Sequence, residues 1–145
     1  MINKGLFTSD KNYWETPQAF FNELHKEFDF TLDAAASHEN AKLDNYYTEE
    51  DNALEQECGG RVFVNPPYGR EIKHWVKKAY EESLEPYNEC VVMLIPARTD
   101  TIYWHEYIFG KADEIDFLKG RLKFELNGET KQSAPFPSAL IRYGE

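Results

Sequence analysis

The residues best suited to chemistry stand in one short stretch, Asn65-Pro66-Pro67-Tyr68, directly after the run Arg61-Val62-Phe63-Val64. A residue that precedes proline is pushed out of the helical region, and each proline fixes its own φ, so Asn65 and Pro66 both stay extended. The corner is stiff. It can aim two acceptors the same way, the side-chain oxygen of Asn65 and the main-chain carbonyl of Pro66. Prolines carry no N–H, so no donor inside the turn competes for those acceptors. Two converging acceptors suit a planar amino group with two N–H bonds, such as the exocyclic amine of adenine. The lone pair of that amine is delocalised into its ring. Binding both hydrogens localises the pair and aims it at an electrophile. Tyr68 offers a flat face for the base, a stacking contact of about 1–3 kcal/mol. A base inside a duplex must be flipped out to reach such a pocket.

The elements that would hold this corner follow from periodicity and turn chemistry. Thr16 and Pro17 suit the N-cap and first position of a helix, and Phe20, Phe21, Leu24 and Phe28 follow at helical spacing, so a helix is expected over 17–27. Residues 28–33 (FDFTLD) alternate and read as a strand ending at Asp33. Residues 37–60 are polar and irregular, with a short strand suggested near 43–47. A second strand at 61–64 leads to a helix over 71–83, with Ile72, Trp75, Val76 and Ala79 on one face. The run CVVMLI (Cys90–Ile95) is apolar throughout, as expected for a strand buried on both faces. A helix is expected over 99–109, then strands at 113–118, 122–126 and 138–143, with Asn127-Gly128 inviting a hairpin turn. Alternation of helix and strand predicts an α/β sandwich with a mostly parallel sheet and an antiparallel C-terminal hairpin. Ligands of such sheets sit at the carboxyl ends of the strands, where Asp33, Asn65 and Pro96 all fall.

Other features narrow the function. The 145 residues suit one domain and leave no room for a separate target-recognition domain. The net charge of −10, from 26 acids against 16 bases, argues against loose, charge-driven binding of nucleic acid. Arg98, just past the apolar strand, either pairs with Asp100 or meets a phosphate, and Arg121 stands between Lys119 and Lys123 in a small basic cluster that forms either a solvated face or a second phosphate contact. Trp14, immediately before the first helix, is placed to line a ligand pocket. The four histidines are scattered, with no partners at ligand spacing, so no metal is expected. Cys58 and Cys90 form no CxxC pattern and read as reduced thiols of a cytoplasmic protein. No stretch reaches the roughly 18 apolar residues of a membrane span, and the first residues lack the apolar run of a signal peptide.

The corner belongs to a wider pattern. Trp14-x-Thr16-Pro17, LDAAAS (32–37), VFVNPPYG (62–69), LIPARTDT (94–101), GRLKF (120–124) and APFPSALI (134–141) occur in that order over nearly the whole chain. Together they resemble the phage-type DNA N6-adenine methyltransferase family. The resemblance implies a single compact Rossmann-like methyltransferase domain over 1–145, S-adenosylmethionine as methyl donor, and a flipped adenine in DNA as acceptor. By position, Asn65, Pro66 and Tyr68 resemble the clamp on the target amine. Thr16 and Pro17 resemble the segment covering the methionine end of the cofactor. Asp33 sits where the cofactor loop follows the first strand, and Asp51 resembles the acid that bonds the cofactor's adenine amine. Ala34-Ala35-Ala36 stands where the family's glycine-rich loop is expected, and its small side chains still allow close approach to the backbone. Which of Asp33, Asp44 and Asp51 would hold the ribose hydroxyls stays open. NPPY alone is shared with RNA and protein-glutamine methyltransferases, since an amide NH₂ meets the same clamp. A degenerate methyltransferase fold acting as an interaction module is the non-enzymatic alternative.

Overall fold

The computed structural model describes residues 14–126, 129–130 and 133–144. Helix α1 (Gln18–Phe28) buries Phe21, Leu24 and Phe28, three rings and chains on one stripe. It runs to Phe28 rather than yielding the expected strand there, because Phe28 continues the buried stripe. Asp29 then turns the chain in a left-handed conformation, φ 51°, with its N–H on the His25 carbonyl. The first strand is consequently short, β1 (Leu32–Asp33). Strand β2 (Gly60–Val64), helix α2 (Ile72–Ser83) and strand β3 (Asn88–Pro96) follow as a β-α-β unit. Gly60, at φ 74°, has no room for a side chain: a Cβ there would lie 2.4 Å from the Thr31 hydroxyl. Beyond β3 the expected helix is a π-helical turn, Trp104–Ile108. It is followed by β4 (Glu114–Phe117), β5 (Glu125–Leu126), β6 (Glu129–Thr130) and β7 (Ser138–Gly144).

Five strands form one sheet in the order β1-β2-β3-β7-β4. β1, β2 and β3 are parallel neighbours, whereas β7 pairs antiparallel with both β3 and β4. Four strands therefore point one way and β7 alone runs against them. The C-terminal hairpin is a separate two-stranded piece: Glu125 faces Thr130 and Leu126 faces Glu129. Asn127 and Gly128, the expected turn, lie outside the described residues.

The expected central strand is β3, with Cys90 through Pro96 all buried. Alternate residues of the sheet meet helices on opposite faces. Phe21 of α1 packs edge-on against Phe63, with ring centroids 5.1 Å apart. Ala79 of α2 instead shares an interior gap with Val62, Val64 and Val91. The result is a mixed α/β fold with helix on both sides of the sheet. Each of the fully buried side chains Phe63, Met93, Leu94, Ile95 and Ile141 contributes about 1.5–3 kcal/mol relative to exposure. Among the described residues, no helix is long and apolar enough to cross a membrane.

Candidate active site

The corner after β2 lies beside a cleft of about 850 Å³ at the carboxyl ends of β1 and β2. Such a volume is typical of small-molecule sites. Ala34, Ala35 and Ala36 line it, as do Asn65 and Pro67. The alanines let the backbone approach a ligand closely. The loop after them forms the opposite wall and brings Ser37, His38, Glu39 and Asn40; the next turn brings Thr48, Glu49, Glu50 and Asn52.

Asn65 has an uneven set of partners. Its side-chain Nδ2 donates to the Trp14 carbonyl at 2.5 Å and to the Thr16 Oγ1 at 2.9 Å. Its Oδ1 is buried and has no partner among the described residues. N and O lie on opposite sides of a planar amide, so Oδ1 faces away from Trp14 and Thr16. The Pro66 carbonyl also accepts no hydrogen bond among the described residues. Leaving a buried acceptor unpaired costs about 1–3 kcal/mol, which a fold tolerates where a ligand completes the bond. Of the two acceptors singled out from the sequence, Asn65 Oδ1 is one of four buried side-chain polar atoms without a partner among the described residues, with Asn88 Oδ1, Trp104 Nε1 and Ser138 Oγ, and among these four residues Asn65 alone lines the cleft.

Thr16 is buried and does not cap α1, contrary to expectation; Pro17 takes the N-cap position with no side-chain cap bond. The Thr16 hydroxyl instead accepts from Asn65 Nδ2. The helix start is served by Glu125, whose Oε2 accepts from the Gln18 N–H at 3.3 Å. Trp14, Thr16, Asp33, Asn65 and Pro66 surround a small second cavity of about 40 Å³ beside the cleft. Pro17 is half-buried and lines neither cavity.

Asp33 is buried and its Oδ2 accepts from the Lys42 N–H at 3.0 Å. Burial raises its pKa, against the lowering effect of that bond. It ties down the loop that forms the cleft wall, facing the small cavity rather than the large one. Asp51 is exposed and accepts from the Thr48 N–H at 2.8 Å and hydroxyl at 3.1 Å, which hold its pKa below the ordinary value. It closes the turn, while its neighbours Glu49, Glu50 and Asn52 line the cleft. Asp44 is exposed and lines neither cavity.

Tyr68 is buried, and its hydroxyl donates to the Leu94 carbonyl at 2.8 Å. Its ring meets Phe124 and Phe136 edge-on, with centroids 6.2 and 5.6 Å away, and Trp14 meets the same two rings at 5.7 and 5.2 Å. The ring faces this aromatic cluster, not the cleft, because burial of its face and the bond to Leu94 satisfy both its apolar and polar parts. The Arg98 guanidinium lies 5.7 Å over the Phe136 ring, and Arg121 donates to the Ala134 carbonyl at 3.3 Å. Both exposed cations therefore sit on the outer side of that cluster, 23 positions apart in sequence but on one segment in space.

Trp75, read from its spacing as a core residue, is half-buried and lines the cleft. It stands at the edge of the apolar stripe of α2, where spacing alone does not separate core from cavity wall. The polar loop residues Ser37, Asn40 and Asn52 carry no periodic signal and only the fold brings them to the cleft.

Comparison with known proteins supports the family resemblance carried by the sequence motifs. The family model for DNA N-6-adenine-methyltransferase (Dam) matches residues 4–139. The DNA N-6-adenine-methyltransferase of Escherichia phage T1 is 34% identical over 130 residues, covering 86% of this chain and 53% of that protein. The DNA N-6-adenine-methyltransferase of Haemophilus phage HP1 is 34% identical over 134 residues, covering 90% of this chain and 75% of its own length. The chain thus spans about half the length of the first relative and three-quarters of the second. Over residues 4–139, the chain belongs to the DNA N-6-adenine-methyltransferase (Dam) family.

Proposed function

We propose that this chain methylates the N6 amine of adenine in DNA, with S-adenosylmethionine as donor, on a Rossmann-like methyltransferase sandwich. The observation that carries the reading is the buried, unpartnered Asn65 Oδ1 beside a cleft large enough for a nucleoside-sized cofactor. The cleft fits a cationic ligand. Among the described residues, Glu15, Glu39, Glu49, Glu50 and Glu71 line it against one Arg or Lys side chain, Arg70. When bound, S-adenosylmethionine supplies a methyl group already activated by its sulfonium, so direct in-line transfer needs no covalent enzyme intermediate.

The chain's own residues do the rest. Asn65 Oδ1 and the Pro66 carbonyl accept the two hydrogens of the target amine and localise its lone pair. The stiff corner holds amine and methyl in fixed relation, which supplies proximity and electrostatic orientation. Ala34 and Ala35 leave space for the cofactor against the end of β1, Thr16 holds Asn65 from behind, and a glutamate of the Glu49-Glu50-Asp51 run answers the cofactor's polar groups. The flipped adenine presents its amine to Asn65 Oδ1 from the cleft side, and Tyr68, buried behind the corner, supports the corner rather than stacking on the base. Arg98 and Arg121, outside the aromatic cluster, contact backbone phosphates. No general base is needed, since the proton leaves to water after transfer.

The deciding experiment incubates the protein with tritiated-methyl cofactor and adenine-containing DNA, then digests the DNA to nucleosides. Label in N6-methyladenine is expected. Label that enters RNA or protein instead, or no transfer at all, would overturn the reading.

A further inference from the structure

We infer that the Trp14 carbonyl and the Thr16 hydroxyl are positioning groups that lock the Asn65 amide in one rotation and select an amide over a carboxylate at position 65. The inference rests on Asn65 as the amine clamp. An asparagine amide can rotate by half a turn and exchange its oxygen for its nitrogen. In the wrong rotation the site would present N–H donors to an amine, and donor would face donor. A main-chain carbonyl only accepts. At 2.5 Å from the amide it admits Nδ2 and rejects Oδ1. Thr16 Oγ1, at 2.9 Å, takes the second amide hydrogen. Both hydrogens are then spent on one side, and Oδ1 is committed to the other.

Thr16 is available for this because α1 is capped elsewhere. Glu125 accepts from Gln18 at the helix start, so the threonine hydroxyl owes nothing to the helix. The arrangement also separates two residues that look equivalent in the corner. Aspartate also offers an acceptor oxygen on the open side, yet it would set its second carboxylate oxygen against the Trp14 carbonyl with no hydrogen between them. In a buried site that contact is repulsive. The preference is imposed by a residue 51 positions away in sequence.

Three variants test this: Thr16→Val, Thr16→Ser and Asn65→Asp. One readout is hydrogen exchange of the two Asn65 side-chain amide protons by NMR in the protein alone. The other is single-turnover methyl transfer to adenine-containing DNA at saturating S-adenosylmethionine. Both amide protons should be protected, and Thr16→Val should expose one of them while Thr16→Ser keeps it protected. Transfer should fall about tenfold in Thr16→Val and recover in Thr16→Ser. It should fall about a hundredfold in Asn65→Asp. Unchanged exchange in Thr16→Val, or wild-type transfer by Asn65→Asp, would overturn the inference. Absence of transfer by the wild-type protein would sink the proposed function instead, while amide exchange would still report on the two hydrogen bonds.

Discussion

Glu15 and Glu125 exchange two main-chain hydrogen bonds, at 3.1 and 2.9 Å, and so tie the C-terminal hairpin to the segment ahead of α1. That segment carries both Trp14 and Thr16, the partners of Asn65. The clasp therefore connects the hairpin to the Asn65 corner through two short steps. Glu125→Pro removes one donor of the pair and the carboxylate at Gln18. It should cost about 1–3 kcal/mol of stability, measured by thermal or denaturant unfolding. An unchanged midpoint would show that the clasp carries no stability.

Asn65→Ala should leave cofactor binding intact and reduce transfer by about 10²–10³-fold, since it deletes one preorganised group that acts on the target amine. Calorimetric titration with S-adenosylmethionine and a tritium-transfer assay separate the two effects. Near-normal methylation would contradict the role assigned to the corner.

The acidic cleft wall should favour the cationic cofactor over the neutral thioether left after transfer. Combined Glu49→Gln and Glu50→Gln substitution should weaken S-adenosylmethionine by about two- to fivefold, because both side chains are solvent-exposed. S-adenosylhomocysteine, which lacks the sulfonium charge, should be nearly unaffected. Raising salt from about 0.05 to about 0.5 M should reproduce the same difference. Equal loss for both ligands would mean that the wall acts by shape and not by charge.

Asp33 makes a pH prediction. Its folded-state pKa is raised above the ordinary 3.8 by burial, so the native state holds its proton more tightly than the unfolded chain. Stability contributed by this group is present at low pH and is lost as pH rises through the raised folded value. Asp33→Asn keeps an acceptor for the Lys42 N–H and removes the buried charge. It should match the wild type near pH 4 and equal or exceed its stability at pH 7. Asp33→Ala leaves the Lys42 N–H unpaired and should be destabilised by about 1–3 kcal/mol at both pH values. Denaturant unfolding at the two pH values reads both outcomes; an Asn variant weaker than wild type only at pH 7 would reverse the sign argued here.

Much of this protein is local, and local features are legible in a sequence. Steric rules for residues before proline make the Asn65-Pro66 corner extended without reference to the rest of the chain. Unbroken apolar character marks Cys90–Ile95 as the buried centre of the sheet, and the 3.6-residue period marks Ile72, Val76 and Ala79 as the inner face of α2. Only the tertiary structure decided which way each polar group would look. Thr16 reads as a helix cap until Glu125, 109 positions on, takes that duty and leaves the hydroxyl to Asn65. Asp51 and Glu50 are adjacent acids, yet one closes a turn on Thr48 and the other lines the cleft. Tyr68 is a stacking surface by type and a buried member of an aromatic cluster by placement. Backbone preference and periodicity act within a few residues. Hydrogen-bond partners and cavity walls are supplied by segments distant in the chain, and a single sequence does not state which distant segment will arrive.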